Sequence, residues 1–229
     1  MPTLNYKKTY WLKIPLFDNL FIKILNYNRN KIHNIFLKET EYTIKNSILD
    51  IGTTNSEDNS QNVILQKTRD NDKVYSLSNQ DITNLKNIFP NIKEFIIADG
   101  KSSELKENFV DIVFSSATIE HVGSFENQLL FLKEAIRIAK KTVFITTPNR
   151  FYPIDFHTKI PVIHWLPKNI HRLILKTLGL HFYANEENLN LLDKKNIIKL
   201  IQKLKIKKYK IIRHKFLFMT SNYIIIINK

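Results

Sequence analysis

The sequence predicts a doubly wound, Rossmann-like α/β fold: a seven-stranded, mostly parallel sheet with an antiparallel terminal hairpin strand. Two observations carry this reading. Three short apolar runs end in Asp, Gly or Ser, namely Ile48-Leu-Asp-Ile-Gly52, Ile96-Ile-Ala-Asp-Gly100 and Asp111-Ile-Val-Phe-Ser-Ser116. A buried parallel strand has this form when its carboxyl end opens into a ligand crevice. The chain then closes on two apolar, β-rich runs separated by two residues, which is the pattern of an antiparallel hairpin.

Each element follows in order. Residues 1–15 hold Trp11 and two prolines and predict little regular structure. From Leu16 to Lys38, apolar residues recur mostly at spacings of three and four. That predicts one or two amphipathic helices over the sheet edge or a ligand site, with a membrane-surface helix as the alternative. Ser47–Asp50 is the first strand, Gly52–Asn59 a polar loop and Gln61–Lys67 a first crossover helix. Lys73–Leu77 is the second strand. A short helix over Asn84–Phe89 stops at Pro90. Glu94–Ala98 and Val110–Phe114 are strands three and four. Ser124 is a good N-cap, and Phe125, Leu129, Leu132, Ile136 and Ala139 mark one buried helix face. Thr142–Thr146 is the fifth strand, and Thr147–Pro167 is irregular. A helix over Asn169–Leu178 stops at Gly179. Asp193 caps a helix to Leu204, and strands Tyr209–Met219 and Asn222–Asn228 join through Thr220-Ser221.

The chain has 229 residues, 43% of them hydrophobic. That is a globular composition and one domain, 1–229. Within it, 1–44 is a helical cover, 45–146 a cofactor-binding half, 147–190 a substrate loop and helix, and 191–229 a helix and the closing hairpin. There is no cysteine, which excludes disulfides, thiolate metal sites and cysteine nucleophiles. The first residues show no secretory signal, and the longest purely apolar run, Ile224–Ile227, is far too short for a membrane span. The expected location is the cytoplasm, with at most peripheral membrane contact. Net charge is +14. Apart from Lys203–Lys210 it is spread along the chain, so it reads as composition and disfavours a nucleic-acid partner.

Several residues carry candidate chemistry. Gly52 lets a ligand approach the backbone, and Asp50 can accept a hydrogen bond from an ammonium or hydroxyl. A second strand in such a fold should end in an acid that clamps ribose hydroxyls. Asp81 is the nearest acid, and the N-cap of the next helix is its other reading. His121 follows the fourth strand as a general base or a pocket wall. No second ligand sits at helical spacing from it, which predicts no metal site. The segment Thr146-Thr-Pro-Asn-Arg-Phe-Tyr-Pro-Ile-Asp-Phe-His-Thr158, then His164-Trp-Leu-Pro167, should roof the crevice. Asn149, Arg150, Asp155, His157 and His164 are its candidates for holding an acceptor, or for satisfying the loop's own backbone.

Residues 45 to 180 resemble class I S-adenosylmethionine-dependent methyltransferases of the type-11 kind. The three strand ends resemble them in order and spacing, and the Thr-Thr-Pro-Asn-Arg and His-Trp-Leu-Pro segments resemble one subgroup. That family usually repeats glycine in the first loop, where this chain has Thr54 and Ser56; the subgroup tends to a Gly-Thr-Thr loop instead. The resemblance implies that S-adenosylmethionine lies against Asp50, Gly52, Thr53, Thr54, Asp81, Asp99, Gly100, Ser115 and Ser116, with Asp99 receiving the adenine amino group. It implies methyl transfer, with His121, Arg150 and His157 facing a small-molecule or lipid-linked acceptor. A non-catalytic binding or regulatory protein is the alternative suggested by the degenerate first loop, and an RNA methyltransferase the one suggested by charge. A nicotinamide-dependent oxidoreductase would need Gly-x-Gly-x-x-Gly, which is absent.

Overall fold

Alternation of period two writes both faces of the sheet into the strands. Ile48 belongs to one core and Leu49 to the other; Ile224 and Ile226 face one side, Ile225 and Ile227 the opposite one. A strand apolar on both sides must be covered on both sides. The computed structural model describes residues 15–56, 61–69 and 72–229, with side chains from residue 21 onward. The expectation for Trp11 and its neighbours lies outside these residues.

Among the described residues, seven strands form one sheet. They are β1 Ser47–Ile51, β2 Lys73–Ser78, β3 Glu94–Ile97, β4 Val110–Ser116, β5 Ala139–Pro148, β6 Tyr209–Phe216 and β7 Met219–Asn228. The spatial order is β3-β2-β1-β4-β5-β7-β6. The first five strands pair in parallel, and β7 runs antiparallel between β5 and β6. The order reverses direction between β1 and β4, so a crevice opens at their carboxyl ends.

Helix α1, Pro15–Glu39, is a single unbroken element where the sequence allowed two. With α2, Val63–Lys67, it covers one face: Ile32 and Phe36 meet Ile64, Phe114 and Phe144. Phe36 stands edge-on to Phe114 and Phe144, at centroid distances of 5.1 and 5.3 Å. Helices α3, Phe125–Ile138, and α6, Lys194–Lys203, cover the other face through Phe131, Leu132, Ile197 and Ile201. Ser124 caps α3 by accepting from the Asn127 N–H, and Asp193 caps α6 by accepting from Asn196. A smaller core joins α4, Lys168–Thr177, to α5, His181–Ala184, through Leu175, Tyr183 and Leu189. Four-residue α5 is too short to leave a periodic signature and was not predicted.

Three expectations are corrected. The helix predicted over 84–89 is a 3₁₀ turn, Thr83–Asn87. Strand β5 extends to both sides of the predicted Thr142–Thr146: at its start Ala139 pairs with Val110 of β4, and at its end β7 pairs along it as far as Pro148↔Asn222. The hairpin turns at Leu217-Phe218, not at Thr220-Ser221. Phe216 pairs with Met219, and both turn residues have positive φ, 49° and 66°. The twist of the two strands selects that mirror-image turn although neither residue favours it.

Candidate active site

A cavity of about 310 Å³ lies where β1 and β4 diverge. Its size is that of a small-molecule site. The strand ends build its floor. Gly52 has φ +99°, and a Cβ there would lie 2.0 Å from Thr118 Oγ1. Only glycine fits this position. Gly100 closes a second approach, since its Cβ would meet Ile51 at 2.9 Å and Phe131 at 3.0 Å. Asp50, Gly52, Thr53, Thr54, Asp99, Gly100 and Ser116 all border the cavity. Helix α1 adds Leu25, Asn28, Arg29 and Ile32 as a cover.

The loop after β1 is held by side chains in place of the usual glycines. Thr53 Oγ1 accepts from Ser76 at 2.7 Å. The Thr54 N–H donates to Asn62 Oδ1, and the Thr54 hydroxyl donates to Gln61 Oε1. Burial pushes the Asp50 carboxyl up to about 7, and a cation placed beside it would favour its charged form. Asp99 is exposed on the rim and pairs with Lys101 at 2.9 Å.

Two expected cofactor residues fall outside the cavity. Asp81 is exposed and turns back to accept from the N–H and hydroxyl of Thr83 at the start of the 3₁₀ turn. The end of β2 instead presents Ser78, Asn79 and Gln80 to the cavity. Their amides can meet hydroxyls without an acid, which is why a search for a carboxylate missed them. Ser115 is fully buried and donates to the Ile51 carbonyl at 2.8 Å, tying β4 to β1.

Past the ends of β4 and β5 the lining continues with His121, Phe156 and His157. His121 follows β4 in a 3₁₀ turn, Ile119–His121. Its Nδ1 lies 2.7 Å from the Asn188 carbonyl. A carbonyl only accepts, so Nδ1 carries the proton and Nε2 is the basic nitrogen. Burial, helped by the neighbouring His157, pushes its pKa down to about 3, so the ring is neutral. The two imidazoles meet edge to face at 4.9 Å.

His157 comes from the distant loop and is fixed by Asp155. Its Nδ1 is 2.9 Å from Asp155 Oδ1, while Thr158 donates to Oδ2 at 2.7 Å. Burial works to raise Asp155, but the His157 charge and these hydrogen bonds override it and hold the carboxyl below its usual range. For His157 burial pulls downward, and Asp155, followed by Glu120, raises it above the ordinary imidazole value. Glu120 is wholly buried. One oxygen accepts from Thr147 at 3.0 Å; the other has no hydrogen-bond partner and lies 3.9 Å from His157 Nε2. Burial lifts Glu120 to about 7, against the opposing charge of His157. Sequence reasoning placed Glu120 beside His121 directly after β4 but assigned it no chemistry of its own. Nor did it foresee three potential metal-binding groups meeting here: spacing along one helix was the only signal sought, and His157 arrives from another loop.

Arg150 does not border the cavity. Its guanidinium donates to the carbonyls of His164 and Leu166 at 3.0 and 2.5 Å, which folds the loop on itself. The expected contact between Arg150 and an acceptor is therefore replaced by a structural one. Asn149 and His164 are likewise engaged with backbone, at Thr220 and Tyr152.

Strand order, antiparallel edge and crevice together define the class I methyltransferase fold. A family model described as a methyltransferase domain matches residues 61–146. Among solved structures, a SAM-dependent methyltransferase from Aquifex aeolicus superposes with a TM-score of 0.56 at 14% identity, covering 87% of this chain and 97% of its own. Magnesium protoporphyrin IX methyltransferase from Synechocystis, solved with bound SAH, gives 0.59 at 13% identity, covering 96% and 90%. The 1,6-didemethyltoxoflavin-N1-methyltransferase of Burkholderia thailandensis gives 0.58 at 9%, covering 93% and 82%. No curated protein matches by sequence. The chain thus has the class I methyltransferase fold, its residues 61–146 match a methyltransferase domain, and S-adenosylmethionine is the cofactor that this match implies. The residues present suit that group: two glycine-lined approaches, a buried carboxyl at one strand end and amides at the next.

Proposed function

We propose that this chain transfers the methyl group of S-adenosylmethionine to a small or lipid-linked acceptor held beside His121 and His157 in the cavity. The observation that carries this reading is which segments line the cavity. Those after β1 and β2 offer glycine, carboxyl and amide groups, and those after β4 and β5 offer two imidazoles. A sulfonium methyl is already activated, so the chain's main task is placement. Asp50 would hold the cationic amino-acid part, Asn79 and Gln80 the ribose hydroxyls, and Asp99 the adenine amino group. Gly52 and Gly100 let the backbone come close. His121, neutral and with Nδ1 donating, can accept a hydrogen bond from the acceptor at Nε2, while Asp155 fixes the orientation of His157.

The loop that brings His157 to the cavity also exposes Phe151, Ile154, Val162, Trp165 and Leu166. That many exposed apolar side chains on one loop supports an apolar or lipid-linked acceptor. Among the described residues no helix is long and apolar enough to cross a membrane.

The test is calorimetry with S-adenosylhomocysteine on the full chain. The expected result is 1:1 binding that Asp99→Ala weakens and His157→Ala leaves within a few-fold. Absence of both heat and thermal shift at millimolar ligand would remove the catalytic reading and favour a non-catalytic protein of this fold.

A further inference from the structure

Beyond cofactor and acceptor binding, we infer that Glu120, His121 and His157 form a binding site for a divalent transition-metal ion beside the cavity. Each offers one ligand atom, and the three atoms lie within 4.8 Å of one another. Two ligands about 2.1 Å from an ion at tetrahedral or octahedral angles stand about 3 to 3.4 Å apart. Small rotations of three side chains close that difference, and the Glu120–His157 pair is already at 3.9 Å.

Two further observations point to an ion. Glu120 is fully buried, and the oxygen that approaches His157 has no hydrogen-bond partner. An orphaned carboxylate oxygen is costly, and coordination to a cation is one of the few ways to satisfy it. The second observation is the support behind the imidazoles. His157 Nδ1 donates to the Asp155 carboxylate, and His121 Nδ1 donates to the Asn188 carbonyl. With Nδ1 donating in both rings, Nε2 is the nitrogen left to face an ion, which would displace any proton it carries. A carboxylate or carbonyl behind each ring is the arrangement that orients and strengthens metal-ligating histidines. Two imidazoles and one carboxylate suit Zn²⁺, Mn²⁺ or Fe²⁺ better than Ca²⁺ or Mg²⁺, which prefer all-oxygen sites. Three protein ligands leave coordination positions for an oxygen of the acceptor, and His121 and His157 border the cavity where it would sit.

The site does not depend on methyl transfer, and its test is metal binding itself. Equilibrium dialysis of the full, tag-free chain against Zn²⁺ or Mn²⁺, followed by metal analysis, should give one equivalent per chain. Glu120→Gln and His157→Gln should each lower affinity at least tenfold. Asp155→Asn, which touches no ligand position directly, should lower it by roughly 10- to 100-fold. Co²⁺ loading of the unaltered chain should produce visible d–d bands that a chelator abolishes. That measurement decides the matter if a variant fails to fold. No metal retained by the unaltered chain, or equal retention by folded Glu120→Gln, overturns the site. Cofactor binding measured alongside keeps the two readings separate, because S-adenosylhomocysteine can bind whether or not the metal does.

Discussion

At the scale of single residues, the buried carboxyl of Asp50 has the most direct consequence. Its ordinary pKa of 3.8 is raised by burial to about 7. The folded chain thus holds a proton that the unfolded chain has released. Stability from this group is full below its unfolded pKa and is lost as pH rises through 7. Glu120, lifted from 4.5 to about 7, adds a slope of the same sign. His121, His33 and His171, pushed down by burial, contribute the opposite slope below about pH 6.5. The Asp50 effect is therefore read by difference: the stability of the unaltered chain relative to Asp50→Asn, without cofactor, should fall as pH rises from about 4 to about 8. Urea melts at several pH values test this, and an unchanged slope in the variant would show that Asp50 is solvated in solution. The same linkage predicts that S-adenosylhomocysteine binding near pH 7 releases a proton, because its ammonium favours the charged carboxylate. Binding enthalpies should differ between buffers of different ionisation heat, and that difference should vanish in Asp50→Asn.

At the scale of elements, packing and turn geometry make separate predictions. Phe36 is 1% exposed and carries α1 onto the sheet against Phe114 and Phe144. Phe36→Ala should cost about 3–5 kcal/mol, as large core truncations do, and should also loosen the α1 wall of the cavity. Denaturant unfolding and cofactor affinity measure the two effects. The β6–β7 turn holds Leu217 and Phe218 in the left-handed region, with Phe218 96% exposed. Neither side chain packs well enough there to offset the backbone cost, so Leu217→Asn with Phe218→Gly should stabilise the chain by about 1–2 kcal/mol. No gain in the melting midpoint would mean that the turn is not of this type in solution. This turn also shows what the sequence could and could not tell. Strands β1, β4 and β7 were legible because both of their faces are apolar, and α3 because its cap and stripe agree. The turn was missed because Thr220-Ser221 looks more turn-like than Leu217-Phe218, and strand pairing outweighs local preference. In the site, Gly52 and Gly100 were legible from strand ends. Arg150 was misjudged because a guanidinium near a crevice looks the same in sequence whether it meets a ligand or its own loop's carbonyls.

At the scale of the whole molecule, the open question is the excess of positive charge, +14 over 229 residues. The one dense run, Lys203–Lys210, lies at the end of α6 and the start of β6. Strand β6 is the outermost in the order, so among the described residues one side of its backbone has no partner strand. An unpaired edge invites another chain to add a strand, and charged side chains along it oppose that. Lys210, Arg213 and Lys215 are exposed along β6, and Lys210 is also tied to Glu39 of α1 at 2.7 Å. The charge thus has a structural use that needs no polyanion. Two outcomes follow. Binding to RNA should be weak and sequence-independent, falling away between about 50 and 200 mM salt as counterion release predicts. Replacing Arg213 and Lys215 together by Thr should leave the monomer's fold and cofactor affinity intact but promote self-association, seen as growth of large species in light scattering at raised concentration. If the double variant stays as dispersed as the unaltered chain, and structured RNA binds tightly at physiological salt, then the basic edge is a nucleic-acid surface and its role as a guard is wrong.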